Sequence, residues 1–231
     1  INTVDYLNDS IGHFQDLFSF KINYNTVTKK NTDTNIIEEV NDSYGQTVKK
    51  LYNGNIAETY WRTSTDNVLR KYSYAYDNLN RLNDAYYQKP GDAIEQTDAY
   101  NESIRYDSNG NIHRLTRTGD YDGNAYTYLI DELEYHYQQD SNLLLKVSDA
   151  TNESLGFKDD SDGTNDTEDD YEYDANGNLT LDQNKAIVRI SYNHLNLPEN
   201  IYFSNGGYIG YVYDATGIKL EKRVNENNIL T

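Results

Sequence analysis

One short unit constrains this chain more than anything else in it. A tyrosine is followed by aspartate, then two turn-forming residues, then Gly or Asn, and an aliphatic residue opens what comes next. It reads Tyr76-Asp77-Asn78-Leu79-Asn80-Arg81-Leu82, Tyr106-Asp107-Ser108-Asn109-Gly110-Asn111-Ile112, Tyr173-Asp174-Ala175-Asn176-Gly177-Asn178-Leu179 and Tyr213-Asp214-Ala215-Thr216-Gly217-Ile218. A variant, Tyr192-Asn193-His194-Leu195-Asn196-Leu197-Pro198, has Asn in place of Asp. Shortened forms occur at Tyr52 to Ile56 and Tyr121 to Asn124, and a degraded one from Tyr135 to Leu143. Asp at the first turn position can accept from backbone N–H groups two and three residues on. Gly or Asn three positions after Asp supplies the positive φ of a type I turn plus bulge. Tyr before the turn and Leu or Ile after it then pair across a hairpin. Asp77, Asp107, Asp174 and Asp214, with Gly110, Gly177 and Gly217, are therefore structural turn residues.

Between the turns, tyrosines alternate with other residues, as in Tyr72-Ser73-Tyr74-Ala75-Tyr76, Tyr171-Glu172-Tyr173 and Tyr211-Val212-Tyr213. Alternate residues of a strand share a face, so each run puts two or three rings on one side. Helical periodicity is nearly absent; Ile36 to Val40 and Gly12 to Phe18 are short and lack caps. The chain has 24 tyrosines, one tryptophan, 30 asparagines and two prolines, a composition of aromatic strands and many turns. The expectation is an all-β protein of repeated hairpins forming a continuous curved or spiralling antiparallel sheet. A hairpin cannot bury its own aromatic face, so neighbours must stack. Turns are expected at Asp77–Arg81, Asp107–Asn111, Asp174–Asn178, Asn193–Leu197 and Asp214–Ile218.

At these residues the chain resembles the Rhs/YD-repeat family, whose unit is Y-D-x-x-G-N/R-L. The match runs from about Leu51 to Val224 and is weaker over the first fifty residues. The resemblance implies a β-sheet spiral that closes into a hollow shell, as in bacterial polymorphic-toxin carriers, toxin-complex subunits and the adhesive teneurins. It implies as partners the rest of a longer parent chain and an enclosed, toxin-like C-terminal domain. Residues 225–231 do not match the self-cleaving core with paired aspartates that ends the carriers. The organisation expected is an N-terminal β segment at 1–50, the repeat segment at 51–224 with an acidic insertion at 158–170, and a tail at 225–231.

Twenty Lys and Arg against 38 Asp and Glu give a net charge of −18, which leaves nothing to neutralise a nucleic acid. No apolar run is long enough for a transmembrane helix, and the start has no signal-peptide pattern. Without Cys there is no disulfide, thiolate metal site or thiol nucleophile. The lack of Met, with Ile1 first, fits a piece of something longer.

Candidate sites are few. His13, His113, His136 and His194 stand singly, with no paired metal-ligand spacing. No nucleophile elbow, P-loop or dinucleotide fingerprint occurs. Between Lys158 and Asp174 nine acids accompany one lysine. Within that stretch Asp160, Asp162, Asp166 and Asp169 surround Gly163 with a spacing like calcium loops of extracellular repeat proteins. The alternative is a solvated, self-repelling insertion between strands with no bound ion, and no other cofactor is expected. The functional expectation is a structural shell segment, not an enzyme, of a bacterial protein that is secreted or at the cell surface. The other class is an adhesive module binding a surface glycan or protein through exposed tyrosines.

Overall fold

The computed structural model describes residues 17–31, 33–34, 36–119, 122, 128–151, 153–159, 169–226 and 229–230. Nearly every regular element there is a strand, and the one helical turn is a 3-10 turn at Gln183–Lys185, capped by the Asp182 carboxylate on the Lys185 N–H. The protein is all-β. The strands are β1 (Phe18–Asn23), β2 (Val27–Lys30), β3 (Ile37–Val40), β4 (Asp42–Ser43), β5 (Val48–Lys49), β6 (Glu58–Thr63), β7 (Arg70–Tyr76), β8 (Leu82–Gln88), β9 (Glu102–Tyr106) and β10 (Ile112–Thr118). They continue as β11 (Leu129–Tyr137), β12 (Leu144–Asp149), β13 (Tyr171–Tyr173), β14 (Leu179–Asp182), β15 (Ile187–Tyr192), β16 (Pro198–Phe203), β17 (Tyr208–Tyr213), β18 (Lys219–Glu226) and β19 (Ile229–Leu230).

The hairpins lie in two main sheets rather than one. One has the order β1-β6-β7-β8-β9-β10-β11-β12, the other β13-β14-β15-β16-β17-β18-β19, and β2-β3 and β4-β5 form separate two-stranded pairs. From β6 on, sequence neighbours within each main sheet are sheet neighbours, as stacked hairpins require, and the ladder breaks between β12 and β13. The chain divides into two compact units, residues 1–105 with 115–130, and 106–114 with 131–231.

In the first unit β1 pairs with β6 in the register Phe18↔Thr63 to Asn23↔Glu58, so residues before 50 extend the repeat sheet. The chain between β1 and β6 forms the small pairs and a core of Val27, Val48 and Ala57 against Val40, Tyr44, Leu51 and Tyr86. Strand β7 alternates as the sequence predicts, with an unexpected result. Its buried side is Lys71, Ser73 and Ala75, while Tyr72, Tyr74 and Tyr76 are only partly covered. The tyrosines stack along their own face, Tyr72 against Tyr74 with centroids 6.0 Å apart and against Trp61 at 5.5 Å.

In the second unit the seven-stranded sheet is built from the hairpins at 174, 193 and 214. In each the register shifts at the tyrosine before the turn, between Glu172 and Tyr173, Ser191 and Tyr192, and Val212 and Tyr213. That shift is the bulge the turn chemistry demands. Tyr173 pairs with Leu179 and Tyr192 with Pro198, but Tyr213 pairs with Lys219 rather than Ile218. Ile218 closes the turn through its carbonyl to the Asp214 N–H and is left 62% exposed.

Candidate functional site

The five expected turns all form, and they share one hydrogen-bond scheme. The first residue's N–H donates to the carbonyl four residues on: Asp77 to Arg81, Asp107 to Asn111, Asp174 to Asn178, Asn193 to Leu197 and Asp214 to Ile218, at 2.9–3.0 Å. The N–H of the fourth residue returns to the first residue's carbonyl, from Asn80, Gly110, Gly177, Asn196 and Gly217. Those five residues hold φ of 62°, 94°, 81°, 56° and 87°. Asn and Gly serve this position because they tolerate left-handed backbone.

The side-chain acceptor of the first residue takes the N–H groups two and four residues on, not two and three. Asp174 Oδ1 accepts from Asn176 N and Asn178 N at 2.9 Å each, and Asp77, Asp107, Asn193 and Asp214 repeat the pattern. The third N–H is unavailable because it already bonds the backbone carbonyl. Where the fifth residue carries a donor, it binds the second carboxylate oxygen: Arg81 Nε on Asp77, Asn111 Nδ2 on Asp107, Asn178 Nδ2 on Asp174. These bonds stabilise the charged form, and the carboxyls of Asp77, Asp174 and Asp214 lie below the usual aspartate range. Asp107 is lowered too, with partial burial opposing its hydrogen bonds.

In five of the units the tyrosine does more than fill space. Its hydroxyl donates to the backbone carbonyl of the residue that leaves the preceding turn: Tyr76 to Ile56, Tyr137 to Ile112, Tyr173 to Leu144, Tyr192 to Leu179 and Tyr213 to Pro198, at 2.7–3.0 Å. Asparagine amides make a second set of links between turns. Asn53 Nδ2 donates to Asn80 Oδ1, Asn109 and Asn111 to Asn142 Oδ1, and Asn176 and Asn178 to Asn196 Oδ1. Sequence reasoning missed both relays. The signal for them was that the unit keeps a hydroxylated aromatic before Asp, and Asn rather than any turn former around Gly.

A buried ion pair is the second unforeseen feature. Lys71 Nζ lies 2.6 Å from Glu58 Oε1 with both side chains out of solvent. Glu58 also accepts from Asn23 Nδ2, Thr28 N and Thr28 Oγ1, and Lys71 donates to the Thr28 carbonyl. Burial pulls the Lys71 ammonium below the usual lysine range against the opposing pull of Glu58. Every partner is a β1, β2 or β6 group, so the network pins the covering segment to the sheet.

Among the described residues the histidines do not come together. His113, His136 and His194 are exposed and separate, and His13 lies outside the described residues. Of the calcium candidates, Asp160, Asp162 and Asp166 lie outside the described residues; Asp169 is described, and its carbonyl accepts from Gln183 Nε2. The described ends of the acidic stretch are mixed, with Lys158 and Asp169 exposed. Asp159 and Asp170 are buried, and Asp170 Oδ2 accepts from Val147 N and Asn184 Nδ2. With its own N–H on the Leu145 carbonyl, Asp170 ties β12 to the segment that begins β13.

No family model matches the sequence, and no curated protein matches it. Among solved structures, the fold aligns with a chain of the crystal structure of TcdB2-TccC3-Cdc42, over 90% of this chain at 12% identity and a TM-score of 0.47. The aligned region covers 12% of that chain. No functional assignment rests on a likeness at that level. The four Tyr-Asp units that carry the resemblance to the Rhs/YD-repeat family are four turns of one geometry in the fold.

Proposed function

We propose that the chain is a structural wall segment of a large bacterial protein, secreted or held at the cell surface. Its hairpins enclose or present a further, toxin-like domain of the same polypeptide. The observation that carries this reading is the relay of tyrosine hydroxyls, each fastening one hairpin to the exit of the turn before it. A wall one sheet thick has no second layer to hold its hairpins in order, and a bond from each repeat to the last supplies that order locally. The repeated aspartates serve structure, since they spend their oxygens on backbone N–H groups of their own turns. Half-covered tyrosines suit such a wall, because the ring packs while the hydroxyl stays within reach of a polar partner.

Limited proteolysis of the parent polypeptide tests the proposal. An enclosed domain resists added protease, and weakening the wall by Tyr173→Phe with Asp170→Ala exposes it. A parent whose domains are cut at the same rate with and without those changes contradicts the wall reading.

A further inference from the structure

Strand β17 has a glycine where its backbone does not ask for one. Gly210 sits mid-strand, opposite Asn200 on β16 and Arg223 on β18, and is not among the positive-φ residues. A Cβ built there meets nothing nearer than 3.5 Å, the distance to Asn200 Oδ1. Neither conformation nor crowding requires Gly, and glycine in a strand interior weakens the sheet. Its effect is to open a depression of about 300 Å³ whose lining includes Asn200, Tyr202, Tyr208, Val212 and Arg223.

The walls have a definite chemistry. Tyr202 and Tyr208 are cross-strand partners with ring centroids 6.3 Å apart at 40°, and Tyr202 is 38% exposed. Unlike the relay tyrosines, these two make no hydroxyl hydrogen bond among the described residues. Arg223 is held by Glu221 through two bonds, Nε to Oε1 at 2.8 Å and Nη2 to Oε2 at 2.9 Å. Asn200 is anchored by Nδ2 on Ser191 Oγ, and Arg189 lies over the Tyr202 ring at 5.9 Å. Donors and acceptors thus stand beside two partly exposed tyrosine rings above a floor cleared of side chain.

We propose that this depression binds a neutral saccharide ring of a surface glycan. The C–H face of a pyranose packs on Tyr202 and Tyr208, and its hydroxyls meet Asn200 and Arg223. An apolar peptide side chain or a second sheet laid here would take the exposed Arg223–Glu221 pair and the Asn200 side-chain carbonyl oxygen out of water, a desolvation cost that their existing bonds only partly offset. A polyol satisfies them, and the depression is small enough to select one or two rings. The site is independent of the wall role, since its residues take no part in the turn relay.

Saturation-transfer NMR on the full chain with glucose, galactose, mannose, N-acetylglucosamine and glucuronate, each added alone, tests the site. The expected result is transfer to the ring protons of at least one neutral sugar. Binding weakens at least tenfold in Gly210→Leu, which fills the depression, and in Tyr202→Ala, while Tyr52→Ala on an unrelated exposed tyrosine leaves it unchanged. If Gly210→Leu fails to fold, Tyr202→Ala and Arg223→Gln decide. Absence of transfer to every neutral sugar, transfer to glucuronate alone that salt abolishes, or equal binding in folded variants overturns the proposal.

Discussion

The hydroxyl of Tyr173 donates to the backbone carbonyl of Leu144 at 2.8 Å. Tyr173 belongs to the seven-stranded sheet and Leu144 to the last strand of the eight-stranded one, so this bond joins the sheets where the strand ladder stops. Two neighbours reinforce it, Asp170 N on the Leu145 carbonyl and Val147 N on Asp170 Oδ2 at 2.7 Å. A carboxylate and a phenol, with one main-chain bond, therefore do at this break what full ladders do elsewhere. Tyr173→Phe leaves the Leu144 carbonyl without that donor and is expected to cost about 1 kcal/mol, the ordinary net worth of such a bond. Chemical denaturation with unchanged slope checks it.

The turn aspartates make stability depend on acid. Their folded pKa values are lowered by backbone N–H and side-chain donors, so the unfolded chain binds protons first as pH falls. The stabilisation is whole above the unfolded aspartate value and is lost as pH falls through the lower folded values. Replacing Asp77, Asp107, Asp174 and Asp214 together by Asn, the residue position 193 already uses, keeps the Oδ1 acceptor and removes the titration. The variant's melting temperature is expected to change less between pH 5 and about pH 2 than that of the unaltered chain.

Gly177 and Asn196 occupy the same turn position at φ 81° and 56°. Gly177→Asn is expected to be tolerated, and Gly177→Val to cost about 1–2 kcal/mol because a β-branched residue resists left-handed backbone. No atom lies within 4 Å of a Cβ at Gly177, so the cost is conformational and not steric. Thermal melts of the two variants separate these.

Lys71 and Glu58 test the buried network. Removing one partner strands the other charge out of water, so Lys71→Met or Glu58→Gln alone is expected to cost about 3–5 kcal/mol. The double change Glu58→Gln with Lys71→Met should cost less than the sum of the same two single changes. Equal and additive losses would mean the charges do not interact.

Much of this fold is legible in the sequence because turn chemistry is local. Asp174, Gly177 and the Tyr173 bulge are fixed by residues within four positions of one another, and each unit repeats that information. The relay is harder to see, since Tyr192 and its acceptor Leu179 are related only once the hairpins are stacked. A backbone carbonyl also has no sequence signature. Lys71 illustrates a second limit: the alternation places it on one face of β7, but the strands that bury that face come from residues 27–49, whose pattern is weak. The depression at Gly210 escaped because a glycine among many reads as another turn residue.

Millimolar Ca²⁺ separates the two readings of the acidic stretch. A solvated insertion predicts no change in melting temperature, whereas a bound ion predicts a rise that Asp162→Ala and Asp166→Ala abolish.

Native-state hydrogen exchange on Tyr192→Phe tests the relay most directly. The lost hydroxyl belongs to the 193 hairpin, but its acceptor, the Leu179 carbonyl, leaves the turn at Asp174–Asn178. The account predicts faster exchange at the amides of Gly177, Asn178 and Asp182, one hairpin back, by about the factor of 5 that a 1 kcal/mol loss gives. Faster exchange confined to residues 192–198, with the preceding hairpin as protected as before, would contradict it.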